Sequence, residues 1–224
     1  MLQFHDDYMA LTGAFIWLAN VTRPDLAYIA SQLARFVSNP AAVHYRAALR
    51  VLIYLRTSAS RVLVFRPNDR APLCAYVDAD WATKFSVSGG LIAFMSVPIH
   101  WYSRTQRSVS MSSTEAEFFA MCAAVKEIIF FRDLLLDLGL ALPGPTRLAT
   151  DNKSVVDLAI DAVAFKKTKH ILRAAEFVRD LAHRRVIQVH WIAGHNNPAD
   201  LLTKPFPLVT FRKLLVLLHD LPEF

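Results

Sequence analysis

Apolar residues recur along this chain with two different periods, and the change from one to the other organises it. From Thr22, the stretch TRPDLAYIASQLARFVSNP sets Leu26, Ile29, Ala30, Leu33 and Phe36 at helical spacing, with Pro24 suited to a first turn and Pro40 beyond the end. In PAAVHYRAALRVLIYLRTS, Val43, Ala47, Val51 and Tyr54 form a second stripe, with Arg46, Arg50 and Arg56 off it. The two stretches predict a helical pair whose basic face serves equally as solvated surface or as a contact for a nucleic-acid backbone. Between Ser58 and Pro72 the turn residues Pro67, Asn68, Asp69 and Pro72 mark a boundary.

Beyond the boundary the period drops to two. Runs at Leu73 to Ala79, Gly90 to Ser96 and Ile99 to Ser103 predict an antiparallel three-stranded meander. A long helix is expected from about Ser113 to Leu138, then a strand Arg147 to Thr150 and a helix from Ser154. An amphipathic helix over roughly Lys169 to Arg184, a strand Val186 to Ile192 and a last helical region from Pro198 complete the order. That alternation predicts a mixed α/β sheet with helices packed on it.

Composition narrows the class. With 224 residues, 54% of them hydrophobic, the chain can bury one good core and a smaller second one. Cys74 and Cys122 each sit in an apolar run, which argues against a disulfide framework or a zinc site. The long apolar stretch around Ile128 to Leu140 is broken by Arg132, Asp133 and Asp137, so no membrane segment is expected. The N-terminus lacks the pattern of a secretory leader, and an intracellular location, cytoplasmic or nuclear, is expected. A formal net charge of +6 favours polyanionic partners. There is no glycine-rich phosphate loop of the kind nucleotide-binding metabolic enzymes carry.

Four acids carry the candidate chemistry. Alternation in CAYVDADW puts Cys74, Tyr76, Asp78 and Asp80 on one face of a strand, so Asp78 is either solvated at the strand end or holds a cation. In SSTEAEFFAMCAAVKEI the spacing of Ser112 with Glu115, or Thr114 with Glu117, suits a capping box. Glu117 continues the stripe Ala120, Met121, Ala124 and Ile128 that should face the sheet, whereas Glu115 is expected to point away from it. Asp151 in RLATDNK ends a strand, where α/β sheets place ligand chemistry and where a turn or cap acid is equally at home. Asp200 falls in the first turn of a helix if Asn197 caps and Pro198 opens it, a place the helix dipole already favours for an acid. Each acid has a structural reading; together, at strand ends and helix starts of one alternating fold, they form a hard oxygen-ligand set suited to Mg2+ or Mn2+.

The segments YVDADWA, SVSGG, SSTEAEFFA, ATDNKSVVDLA, KTKHI and NNPADLLTKPF resemble, in order, the ribonuclease H domain of Ty1/copia-type retrotransposon polyproteins. The stretch before them resembles the connection that joins reverse transcriptase to that nuclease. The resemblance implies a helical connection remnant over 1–66, a ribonuclease H-like domain over 67–206 with a mixed five-stranded sheet, three strands antiparallel and then parallel, and a helical tail over 207–224. It implies catalytic, metal-holding Asp78, Glu117, Asp151 and Asp200, two Mg2+ ions that Mn2+ could replace, and an RNA–DNA hybrid as substrate. His195, in the loop before the last Asp, takes the position of a histidine that assists product release or proton transfer; an ordinary loop histidine fits as well. Lys166, Lys167, Lys169, Arg173, Arg104 and Arg107 are expected either to track a nucleic-acid backbone or to be solvated surface, and the role of His170 in KTKHI stays open.

Two features depart from the resemblance. The loop between Trp81 and Gly89 is short, and the polymerase palm is absent, so the remainder of the reverse transcriptase is expected as a separate partner. Phe4-His5-Asp6-Asp7 imitates the polymerase hairpin but lies directly against the connection helices without flanking strands. The alternative reading is a fragment that kept the fold and nucleic-acid binding and lost catalysis. An integrase-type or resolvase-type nuclease would use three acids at other spacings.

Overall fold

The computed structural model describes residues 5–64, 73–82, 85–160 and 169–222, without the side chains of residues 169–172. The chain divides into two units, Met1–Val64 and Phe65–Phe224.

The first unit is helical: α1 (His5–Val21), α2 (Ala27–Ala34) and α3 (Ala42–Thr57). Pro24 opens a 3-10 turn ahead of α2, as its fixed φ and missing N–H allow. Tyr8, Phe15, Leu26, Leu33, Ala48 and Val51 form its core, and the Tyr8 hydroxyl donates to the Leu33 carbonyl at 2.7 Å. Val43, expected in the α3 stripe, is exposed; the buried positions are Ala48 and Val51 with Tyr54 and Leu55 against them. A buried ion pair ties this core together. The Arg23 guanidinium grips both oxygens of Asp25 at 2.9 and 2.8 Å and donates to Ser58 Oγ at 2.9 Å, and the Tyr54 hydroxyl donates to Asp25 at 2.5 Å. Such a pair offsets its desolvation only because every arm has a partner.

The second unit carries β1 (Leu73–Asp80), β2 (Val87–Phe94), β3 (Val97–Thr105), α4 (Ser113–Asp137), β4 (Thr146–Thr150), α5 (Lys153–Ile160), α6 (Lys169–His183), β5 (Ile187–Trp191) and α7 (Leu208–Leu217). The sheet order is β3-β2-β1-β4-β5; β1, β2 and β3 pair antiparallel, and β4 and β5 run parallel to β1. This is the mixed five-stranded sheet, three strands antiparallel and then parallel, that the resemblance implies.

Alternation decides which face of β1 does what. Ala75, Val77 and Ala79 meet Ala116, Ala120, Met121, Ala124 and Ile128 in one core, closed on its far side by Val155, Ala159, Ala175 and Val178. Small residues on β1 let α4 lie close, and each fully buried large side chain such as Phe118 or Ile128 contributes about 1.5–3 kcal/mol. The opposite face bears Tyr76 and Asp78. The C-terminal segment packs there: the 3-10 turn Pro198–Leu202 contacts β1 and β2, and the Tyr76 hydroxyl donates to the Pro222 carbonyl at 2.5 Å. The last region from Pro198 is thus a 3-10 turn followed by a separate helix, α7.

Candidate metal centre

Parallel strands share one carboxyl edge, and the chain leaves β1, β4 and β5 on that edge of the sheet. Asp78 stands near the end of β1, directly opposite Gly89 on β2. Asp151 follows Thr150, the last residue of β4. Its backbone carbonyl accepts from Trp191 Nε1 at 2.9 Å, fastening the end of β5 beside it.

Asp200 is delivered by the Pro198–Leu202 turn. Asn197 caps that turn, its Oδ1 accepting from the Ala199 N–H at 3.1 Å, and its Nδ2 donates to the Val77 carbonyl at 3.0 Å, one residue before Asp78. The approach is close because Gly89 has no side chain: a Cβ there would meet Thr203 Cγ2 at 2.7 Å and Leu202 Cβ at 2.8 Å.

Ligand oxygens of Asp78, Asp151 and Asp200 lie within 4.8 Å of one another, the group of this kind found among the described residues. Glu117, in the second turn of α4, lies outside that trio. Its Oε1 accepts from Asn152 Nδ2 at 3.1 Å, and its Oε2 is buried with no hydrogen-bond partner among the described residues. Burial pushes its carboxyl up to about 7, helped by Asp78 and Asp151 and opposed by Asn152. Burial and Asp78 likewise push Asp200 up to about 7, and Asp151 is raised by burial and Asp78. Acids crowded this closely repel each other's charge, and a divalent cation would relieve all of them at once. The converging oxygens and the unsatisfied, inward Glu117 oxygen therefore fit a hard divalent ion held by oxygen.

Two neighbours were not foreseen as part of this cluster. The Thr203 hydroxyl donates to Asp78 Oδ2, and Lys204 Nζ lies 2.9 Å from Asp200 Oδ1 and 3.4 Å from Asp78 Oδ2. Burial alone would lower the Lys204 pKa, but the two carboxylates hold it above its usual range, so it stays an ammonium. The sequence signal for both is the TK that follows PADLL, and for Asn152 the DN pair of β4's end.

Glu115 takes the capping role that its spacing from Ser112 suggests. It is 3% exposed and folds back to accept from the Met111 N–H at 2.7 Å, while Ser112 Oγ accepts from the Glu115 N–H at 3.2 Å. Its burial follows from that role, because a capping acid in a first turn lies over the turn's own backbone. His195 is exposed on the short turn Gly194–Asn196 and is not one of the converging ligands, although Gly194 beside it lies against Asp151. Arg104 is paired with Glu127 at 2.8 Å and stands over the Tyr102 ring, while Arg107 and Arg173 are exposed. Lys166 and Lys167, residues 83–84 of the short loop, Phe4, and the side chains of Lys169 and His170 lie outside the described residues. No helix among the described residues is long and apolar enough to cross a membrane.

No protein-family model matches the chain. Over 210 residues it is 32% identical to the retrovirus-related Pol polyprotein from transposon RE2 of Arabidopsis thaliana, covering 92% of this chain and 14% of that protein. Over 219 residues it is 33% identical to the corresponding polyprotein from transposon TNT 1-94 of Nicotiana tabacum, covering 95% of this chain and 16% of that one. A 127-residue stretch is 39% identical to secreted RxLR effector protein 161 of Plasmopara viticola, covering 55% of this chain and 89% of that protein. Among solved structures, the chain is similar to LC11-RNase H1 in complex with an RNA/DNA hybrid, with a TM-score of 0.47 and 17% identity over 58% of this chain and 93% of that one. The chain thus spans only a small part of the polyproteins it matches, 14% and 16% of their length.

Proposed function

We propose that the chain, 32% and 33% identical over most of its length to two retrotransposon Pol polyproteins, is the ribonuclease H segment of a Ty1/copia-type polyprotein and cleaves the RNA strand of RNA–DNA hybrids in a metal-dependent reaction. In this reading residues 67–206 form the nuclease domain, 1–66 the connection that joins it to a reverse transcriptase, and 207–224 a helical tail. The observation that carries it is the convergence, within 4.8 Å, of three acids drawn from three separate segments of the chain.

Asp78, Asp151 and Asp200 would hold the metal, with Glu117 as the fourth ligand through its unsatisfied oxygen. When bound, Mg2+ or Mn2+ supplies Lewis acidity, easing loss of a proton from water and stabilising the leaving oxygen in an in-line displacement. The protein's own part is positional. Asn197 fixes the Asp200 turn against β1, Thr203 orients Asp78, and Asn152 orients Glu117. His195, exposed on the loop leading to Asp200, would assist product release or proton transfer. Choice of a hybrid would rest on the 2′-hydroxyl and duplex shape, since an A-like major groove is too narrow to be read.

Asp151→Asn tests the proposal. Cleavage of a labelled RNA–DNA hybrid in Mg2+ should fall by about two orders of magnitude or more, the scale lost when charge stabilisation leaves a reacting centre, with the circular dichroism spectrum retained. Hydrolysis at the wild-type rate would remove Asp151 from the site. Hybrid binding without metal-dependent cleavage by the unaltered chain would instead favour a fragment that keeps the fold and binds nucleic acid only.

A further inference from the structure

The two edges of the acidic cluster are neutralised differently. At the Asp151–Glu117 edge, the Glu117 carboxylate is met by the neutral Asn152 amide. At the Asp78–Asp200 edge, Lys204 places a full positive charge between the two carboxylates, 2.9 Å from one and 3.4 Å from the other. Lys204 follows Asp200 by four residues, but it does more than pair along its own segment, because its second partner lies on β1.

We infer that Lys204 is a built-in occupant of the cation position between Asp78 and Asp200, and that a divalent ion shared by these two acids must displace its ammonium. The inference rests on the metal-centre reading above. An ion held by Asp78 with Asp151 and Glu117 would leave the shorter Lys204–Asp200 pair in place, so that edge would be the less costly to fill. An ion shared by Asp78 and Asp200 would take the contacts that Lys204 Nζ now makes, and a dication and an ammonium cannot share one carboxylate pair without strong repulsion. The displaced group has somewhere to go. The Lys204 side chain is 32% exposed, and its Nζ already lies 5.6 Å from the centre of the Phe206 ring, within range of a cation–π contact. Lys204 is thus a positioning residue: it keeps Asp78 and Asp200 together while the metal is away, and sets how readily that edge is filled.

The test is Mn2+ titration by calorimetry on the whole chain, with thermal midpoints in EDTA, for the wild type, Lys204→Gln, Lys204→Met, Lys204→Arg and Asp200→Asn on the Lys204→Gln background. K204Q should take up Mn2+ about tenfold more tightly or more, as removal of one charge of like sign at contact distance requires, and should melt lower in EDTA. K204R should follow the wild type, and D200N in K204Q should cancel the gain. K204M keeps the stem and carries the same expectation; a variant that folds only when Mn2+ is present also supports the inference. A K204Q isotherm that coincides with the wild type, or is weaker, overturns it. If D151N abolishes Mn2+ uptake in the wild type while K204Q leaves it unchanged, the metal centre stands and the role of Lys204 falls; if neither the wild type nor K204Q binds Mn2+, both fall.

Discussion

Glu117 shows how much a single buried atom can decide. Its Oε2 has no partner among the described residues, and its carboxyl is pushed up to about 7 by burial, with Asp200 pushed up to a similar value. A carboxyl that holds its proton more tightly folded than unfolded adds stability below its unfolded pKa, near 4.5 for Glu117, and loses that contribution as pH rises through its folded value. In EDTA the protein should therefore melt progressively lower between pH 5 and pH 8, by on the order of 1–2 kcal/mol once solvent screening of these partly exposed groups is allowed for. Scanning calorimetry at unit steps of pH measures this, and a flat or rising midpoint would contradict it. The inward direction of Glu117 was legible from the stripe it shares with Ala120, Met121 and Ala124. The burial of Glu115 and the bridging by Lys204 were not. Both are short polar pairings three to four residues apart, which along a sequence look the same whether they face water or a core.

Among elements, the strands and the long helix could be read closely because alternation and the 3.6-residue stripe are strong where one face is buried. The Leu73, Ser113 and Lys169 starts agree with the observed β1, α4 and α6. Helix α1 went unread. Its buried positions Tyr8, Thr12, Phe15 and Ala19 are helically spaced, but the exposed Met9, Ile16, Trp17 and Val21 blur the stripe. The SVSGG segment was recognised as a motif without a physical reason, and the structure supplies one at Gly89, where the Pro198–Leu202 turn and Thr203 lie against bare backbone. Gly89→Ala should push that segment off β2, destabilising the protein by about 1–3 kcal/mol as overpacking does and weakening Mn2+ uptake by moving Asp200. Urea unfolding and Mn2+ titration of G89A would check both; wild-type values for each would mean that the segment gives way freely.

For the molecule as a whole, the two units have separate cores, one built on Tyr8, Phe15 and Leu33 and the other on Phe118, Met121 and Leu148. Residues 65–224 expressed alone should therefore keep a single cooperative thermal transition and bind Mn2+ as the whole chain does, measured by circular dichroism and calorimetry. A broad, non-cooperative melt would show that this core depends on the helical unit. Charge was informative only coarsely: +6 pointed to polyanions, whereas the placement of acids on one sheet edge depends on strand order, which no local pattern encodes.

The central place of β1 also sets a timetable. Thr203, which donates to Asp78, lies 125 residues further along the chain. At about 5–20 residues per second of synthesis, a ribosome that has just made Asp78 needs roughly 6–25 s more before its partner exists. For that interval the growing polypeptide carries Asp78 without the turn that orients it, so the three acids can converge only once nearly the whole of the second unit has been made.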